Sequence, residues 1–392
     1  MSGSSIEDFT ARKKDQCILM TAKSNPGANK KSVNIDPNLL FQMIIVLLTS
    51  KKEEYGTNAN KSELAKEIAV MCTYDPGKEE ISLQEELTFV LDGGWLLHRL
   101  SWTKQDSYID LFSKYSDYVM KCYGKGTVVV FDVYNGPSTK DMAHQKRTKE
   151  VGREVLFTND MKINFTKEEF LSNQRNKQKF LIELGKLLDE KGIVVKHADG
   201  DADLKIVTTA MECAIAKNVV VVGEDTDLLI LLIHYCKESN HNMYMKSESK
   251  SKKCGKLWNI KKIQDSLGKE LCSSILFCHA FLGCDTTSKP FGKEKCASLK
   301  LQNTNSDFKI VSKIFYESES TKQDIDTAGE NAMCIVYGGL VIDGIDRLRY
   351  QIFQKKVNNA KLTKSIIPEE LPPTQAALKF HSRRAYFQVF KF

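Results

Sequence analysis

The chain has 392 residues and a formal net charge of +7, with 42% hydrophobic and 27% charged residues, a composition ordinary for a globular protein. No apolar run approaches the roughly 18 residues that cross a bilayer, and the opening MSGSSIEDFTARKKDQ lacks the apolar core of a secretory signal, so an intracellular protein of the nucleus or cytoplasm, with no membrane partner, is expected. The mild positive charge is compatible with a polyanionic partner, and the eleven cysteines, odd in number and without a CxxC pair, read as free thiols in a reducing compartment.

Residues 1–34 are polar, lysine-rich and interrupted by Asn25, Pro26 and Gly27, which predicts a disordered basic arm. Residues 35–83 predict a helical N-terminal extension. Its first helix, DPNLLFQMIIVLLTS, opens on Asp36 as cap and Pro37 in the first turn, and NKSELAKEIAVMC follows as a second amphipathic helix. From 84 to 327 strands and helices alternate. LTFVLD (87–92) is a strand, followed by helical GWLLHRL and SYIDLFSKYSDYVMKCYG. TVVVFD (127–132) is a strand, followed by a basic helical segment starting near Thr139. Lys167 to Glu190 reads as one long helix, IVVKHA (193–198) as a strand, ADLKIVTTAMECAIAK as a helix and VVVVG (219–223) as the most apolar strand. NMYMKSESKSKKCGKLWNI (242–260) is a hairpin with a solvated, lysine-rich tip. IKKIQDSLG and ELCSSILFCHAFLG are helices. Residues 328–392 form a helical C-terminal extension containing ENAMCIVYGGLVIDGIDRLRYQIFQKKV and PPTQAALKFHSRRAYFQVF. There is no internal repeat. Strands alternating with helices predict an α/β fold with a mainly parallel, twisted sheet flanked by helices.

The first four predicted strands share one property: each runs into aspartate. Asp92 and Asp132 end the first two, Asp201 and Asp203 follow the third, and Asp225 and Asp227 follow the fourth. Asp285 comes after the apolar helix SILFCHAFLGCD. The C-terminal ends of parallel strands lie along one edge of the sheet, where ligands bind, so seven carboxylates converge on one cleft. A single aspartate after a strand is most often a turn former or a helix N-cap; recurrence at four strand ends points beyond capping. Like charges this close raise one another's pKa values, and a bound Mg²⁺ or Mn²⁺, which takes oxygen ligands, relieves them. Two such ions about 4 Å apart can activate a water and stabilise the leaving oxygen of a phosphodiester. Glu224 and Asp199 read as solvated or outside the ligand set.

Other motifs are absent. DGDADLKIVTTA begins like a calcium loop, but Leu204 stands where that loop needs glycine and Ala210 where it needs glutamate. No phosphate-binding GxxxxGK[ST], dinucleotide GxGxxG or nucleophile GxSxG occurs. Cys272, Cys278, His279 and Cys284 cluster within the apolar pattern LCSSILFCHAFLGCD and read as core packing rather than a zinc site.

The order and spacing of these residues resemble the nuclease core of the flap-endonuclease family, within the PIN-like fold. FVLDGGWLLHRL is similar to the first strand of that core. VVFDVYNGPSTKDMAHQKR is similar to its second strand and following basic helix, GDADL to its paired-acid motif, EDTDLL to its Glu-Asp-x-Asp-x-Leu, and FLGCDT to its last acidic turn. The match covers roughly residues 84–300. It implies a nuclease that binds DNA or RNA and holds two Mg²⁺ or Mn²⁺ ions, with Asp92, Asp132, Asp201 and Asp203 serving the first and Asp225, Asp227 and Asp285 the second. It also implies catalytic cations at Lys140 and Arg147; seven residues is nearly two helical turns, so both share one face and can clamp the scissile phosphate. The chain departs from the family in four places. A long segment precedes the first strand, which in the family begins almost at the chain start. Asp201 and Asp203 replace a longer glutamate pair. His98 stands where the family has an aromatic, leaving Trp95 as the nearest ring for stacking on a base. SKPFGKEK carries one glycine where the family has a glycine-rich hairpin of helices. Two other readings stand beside nuclease: a catalytically silent PIN-like module that binds nucleic acid or protein, and a metal-dependent phosphatase of small substrates.

Overall fold

The computed structural model describes residues 61–81, 86–133, 152–199, 202–236, 241–248, 255–284, 286–359 and 370–391. The arm at 1–34, the first expected helix and the basic segment with Lys140 and Arg147 lie outside the described residues.

Helix α1 (Lys61–Met71) precedes strand β1 (Leu87–Asp92), which passes directly into α2 (Gly93–Arg99). Helix α3 (Tyr108–Cys122) leads to β2 (Val128–Val133); α4 (Lys167–Ser172) and α5 (Gln174–Glu190) lead to β3 (Val194–Asp199), and α6 (Ala202–Cys213) to β4 (Asn218–Val222). After α7 (Thr226–Tyr235) come the hairpin strands β5 (Met243–Ser247) and β6 (Lys256–Asn259). The remainder is helical: α8 (Ile260–Leu267), α9 (Lys269–Phe281), α10 (Cys296–Thr304), α11 (Ser306–Lys313), α12 (Lys322–Val336), α13 (Gly344–Asn359) and α14 (Gln375–Lys391).

The six strands form one sheet in the order β3-β2-β1-β4-β5-β6. All neighbours are parallel except β5 and β6, which form the expected antiparallel hairpin. Helices cover both faces, so the central strands are apolar on both sides. Successive side chains of β4 alternate between faces. Val219 and Val221 join a core with α6, α7, α9 and the C-terminal helices, while Val220 and Val222 join a second core with α2, α3 and α5. The helices after residue 327 therefore share the first core, and α12 itself crosses the 327/328 boundary expected from sequence.

Three local features differ from the sequence reading. The helix expected over 167–190 breaks at Asn173, which is extended (φ −89°, ψ 118°) and caps α5 by accepting from the N–H groups of Arg175 and Asn176. Its own amide donates to the Gly152 carbonyl, so tertiary contact fixes the break. The run after Asp225, only a second apolar stretch in sequence, is α7; Leu228 to Ile233 are all buried, so no polar face marks it as a helix. The helix expected to continue through residue 357 stops at Gly338, whose φ of +75° ends α12.

Helices α12 and α14 meet where Gly329 faces the buried Ser382, and a Cβ at 329 would run into the Ser382 side chain. Alanine gains about 1 kcal/mol over glycine in a helix, yet overpacking a tight contact takes away about 1–3 kcal/mol. Gly329→Ala is expected to lower the urea midpoint at unchanged m-value; an unchanged or raised midpoint would show that the two helices can part without loss.

Candidate metal centre

The parallel order β3-β2-β1-β4 sets the C-terminal ends of four neighbouring strands side by side. Asp92 ends β1 and caps α2, its Oδ1 accepting from the Gly94 N–H at 2.8 Å. Asp132 lies at the end of β2, beside Ala198 of β3. Asp203 stands in the first turn of α6. Asp225 caps α7 by accepting from the Asp227 N–H at 3.0 Å, and Asp227 occupies the first turn of that helix. Capping and convergence coexist: ligand oxygens of Asp203, Asp225 and Asp227 lie within 4.8 Å of one another. Asp203 thus groups with the acids after β4, whereas the motif order had set it with Asp92 and Asp132. Glu224 is exposed, as expected of a solvated acid. Asp201 and Asp285 lie outside the described residues.

The charge here is held against resistance. Burial pushes the Asp92 carboxyl up from 3.8 to about 6, and the carboxylates of Asp132 and Asp225 raise it further, while the Trp95 and Gly94 N–H groups pull it back. Helices α2, α6 and α7 all begin at the cluster, and their positive N-terminal ends face the acids. Two further groups complete the setting. Lys177 of α5 places its Nζ 2.7 Å from Oδ2 of Asp132. The fully buried His279 of α9 places Nε2 3.0 Å from Oδ1 of Asp227, itself buried.

The residues fit a hard dication. The triad offers only carboxylate oxygens, the donors Mg²⁺ and Mn²⁺ prefer. Oδ1 of Asp132 is buried and, among the described residues, meets no hydrogen-bond donor, a state that costs on the order of 1–3 kcal/mol unless a cation or water fills it. Asp203, Asp225 and Asp227 are the residues that would hold one ion, with Asp92 and Asp132 beside them.

The remaining expected site residues divide. His98 is exposed on the last turn of α2. Trp95 is not available to a base: it is 8% exposed, edge-on to Tyr123, with the Arg99 guanidinium 5.5 Å from its ring centre. Its place on the inward face of α2 puts it in the second core. Cys272, Cys278 and Cys284 are buried, consistent with core packing. Sequence reasoning missed Lys177 and the contact of His279 with Asp227. A polar ring in the apolar run SILFCHAFLG, six residues before Asp285, is the signal that marks His279; nothing local marks Lys177 among its many charged neighbours.

No protein-family model and no curated protein matches the chain. Among solved structures it is similar to the T5 D15 protein co-crystallized with metal ions (12% identity, 70% of this chain and 98% of that one, TM-score 0.39). It is also similar to the bacteriophage T5 D15 flap endonuclease in a pseudo-enzyme-product complex with DNA and metal ions (10% identity, 78% and 100%, TM-score 0.40). A third is human GEN1 in complex with Holliday junction DNA (13% identity, 77% and 71%, TM-score 0.37). The likeness is distant.

Proposed function

We propose that the chain is a divalent-metal-dependent nuclease that hydrolyses phosphodiester bonds of DNA or RNA. The observation that carries this reading is the convergence of Asp203, Asp225 and Asp227, beside Asp92 and Asp132, at the sheet edge where open parallel sheets bind ligands. Two Mg²⁺ or Mn²⁺ ions are the cofactors proposed; when bound, they supply Lewis acidity toward phosphate oxygens and toward the attacking water. The chain supplies the rest. The acids neutralise the dications and fix them to rigid strand ends and helix starts. Lys177, already at the cluster, keeps a positive charge where an anionic backbone must approach carboxylates. Lys140 and Arg147 are the proposed phosphate clamp and His98 a contact to the nucleic acid, while Asp201 and Asp285 complete the proposed ligand set.

The test incubates the purified full chain with labelled single-stranded, duplex and flap oligonucleotides in Mg²⁺, Mn²⁺ or EDTA, beside Asp225→Ala. Cleavage is expected to need metal and to fall about 100-fold or more in the variant, roughly the 3 kcal/mol that one strong transition-state contact provides. The absence of cleavage under every condition would leave a binding module. Hydrolysis of a generic phosphomonoester but of no oligonucleotide would mark a phosphatase.

A further inference from the structure

Helix α9 is buried along nearly its whole length, from Leu271 through Phe281. Into this apolar helix the chain sets one imidazole, His279, with no exposed surface. Burying a polar ring among apolar neighbours is unfavourable unless it meets a partner. At charge-pairing distance stands Asp227, whose Oδ1 is 3.0 Å from Nε2 in an ion-pair contact that is not an aligned hydrogen bond. Asp227 is 5% exposed, buried more deeply than Asp203 or Asp225, and lies on a different helix from His279. The contact therefore ties the acidic triad to the middle of the larger core.

We infer that His279 is a positioning residue for the metal centre: it holds the Asp227 carboxylate so that Asp227 stays in register with Asp203 and Asp225. The inference rests on the metal reading above. A short carboxylate turns about its last torsion with little resistance. Held at Oδ1, it keeps one orientation, and the ion then meets an arranged set of oxygens instead of a mobile one. Outer contacts of this kind commonly contribute about 10–100-fold to metal affinity. A leucine at 279 would pack the core equally well and hold nothing.

The experiment measures Mn²⁺ affinity of the full chain by titration calorimetry, with melting temperature recorded in EDTA, for wild type, His279→Leu, His279→Gln, Cys278→Ala and Asp225→Ala. His279→Leu is expected to weaken Mn²⁺ about 10–100-fold. His279→Gln, which retains a side-chain N–H donor, is expected to recover most of that loss. Cys278→Ala removes equally buried volume from the neighbouring position of α9 and is expected to lower the melting temperature while leaving Mn²⁺ affinity unchanged. If His279→Leu binds Mn²⁺ as wild type does while Asp225→Ala does not, the positioning role is overturned and the metal site stands. If Cys278→Ala weakens Mn²⁺ as much as His279→Leu, the effect is packing and the inference is again overturned. If wild type itself binds no Mn²⁺, the metal reading fails and takes the inference with it.

Discussion

Asp92→Asn is expected to remove metal-dependent cleavage and, in the same protein, to raise the melting temperature measured in EDTA at pH 7. The two effects have one origin. Burial and the nearby Asp132 and Asp225 push the Asp92 carboxyl to about 6 in the folded protein against 3.8 when unfolded. A carboxyl raised on folding destabilises the fold when ionised. That contribution is absent below the unfolded value, grows between about 4 and 6, and is complete at pH 7. Its size is on the order of 3 kcal/mol, at roughly 1.4 kcal/mol for each tenfold shift in proton affinity.

Asparagine removes the charge and keeps an oxygen that can accept the Gly94 N–H, so the cap on α2 persists. A gain of about 6 °C follows at some 2 °C per kcal/mol for a large domain. It should vanish as the pH is lowered from 7 to 4, because the wild-type carboxyl then takes up its proton. Saturating Mn²⁺ should reverse the order, since ligand at about 1,000 times its Kd stabilises wild type by some 4.1 kcal/mol. Cleavage by the variant is expected to fall about 100-fold or more. Melting curves in EDTA and in Mn²⁺ at several pH values check all of this. A variant less stable than wild type in EDTA, with a difference indifferent to pH, would mean that Asp92 carries no strained charge.

The positions of Asp92, Asp132 and Asp225 were legible in sequence because each follows a run of apolar, β-branched or aromatic residues that can only be a buried strand. Parallel pairing then puts such ends on one edge with no further information. The same logic gave the sheet and its antiparallel hairpin. It failed where a residue's role depends on a neighbour distant in the chain. Trp95 stands three residues past Asp92, and only the packing of α2 on Tyr123 decides that its ring faces the core. Lys177 lies in a charged stretch, and its ion pair joins it to a residue 45 positions earlier. His279 sat among apolar residues that were rightly assigned to the core, and the same apolar context concealed its carboxylate partner on α7. Asn173 breaks a helical pattern through its bond to Gly152, a contact between segments. Period and propensity describe one segment at a time, and each of these features belongs to two.

Gly93→Ala is expected to lower the stability of the fold sharply. Gly93 is the first residue of α2, directly after the acid that ends β1, and it lies against β2. A Cβ there would stand 2.6 Å from the Val130 carbonyl oxygen and 2.7 Å from Cε1 of Phe131. Neither can yield cheaply. Val130 is paired on one side to Asp92 of β1 and on the other to Lys196 of β3, so moving it disturbs three strands at once. Phe131 is fully buried. Overpacking of this kind costs about 1–3 kcal/mol where a side chain can move aside and more where backbone must shift, so a loss of about 3 kcal/mol or more is expected. Gly94, one position on, provides the contrast. A Cβ at 94 would meet only Oδ1 of Asp92, at 3.2 Å, the far end of a side chain that can turn. Gly94→Ala should therefore fold and disturb the carboxylate instead, weakening Mn²⁺ about 10-fold, as changes beside a ligand commonly do. Urea titrations followed by circular dichroism, with Mn²⁺ calorimetry on whichever variants fold, separate the two. If Gly93→Ala lies within about 0.5 kcal/mol of wild type, a shift typical of a surface site, then α2 does not lie this close to β2. The place given to Asp92, as both the cap of that helix and a wall of the metal centre, would then be wrong.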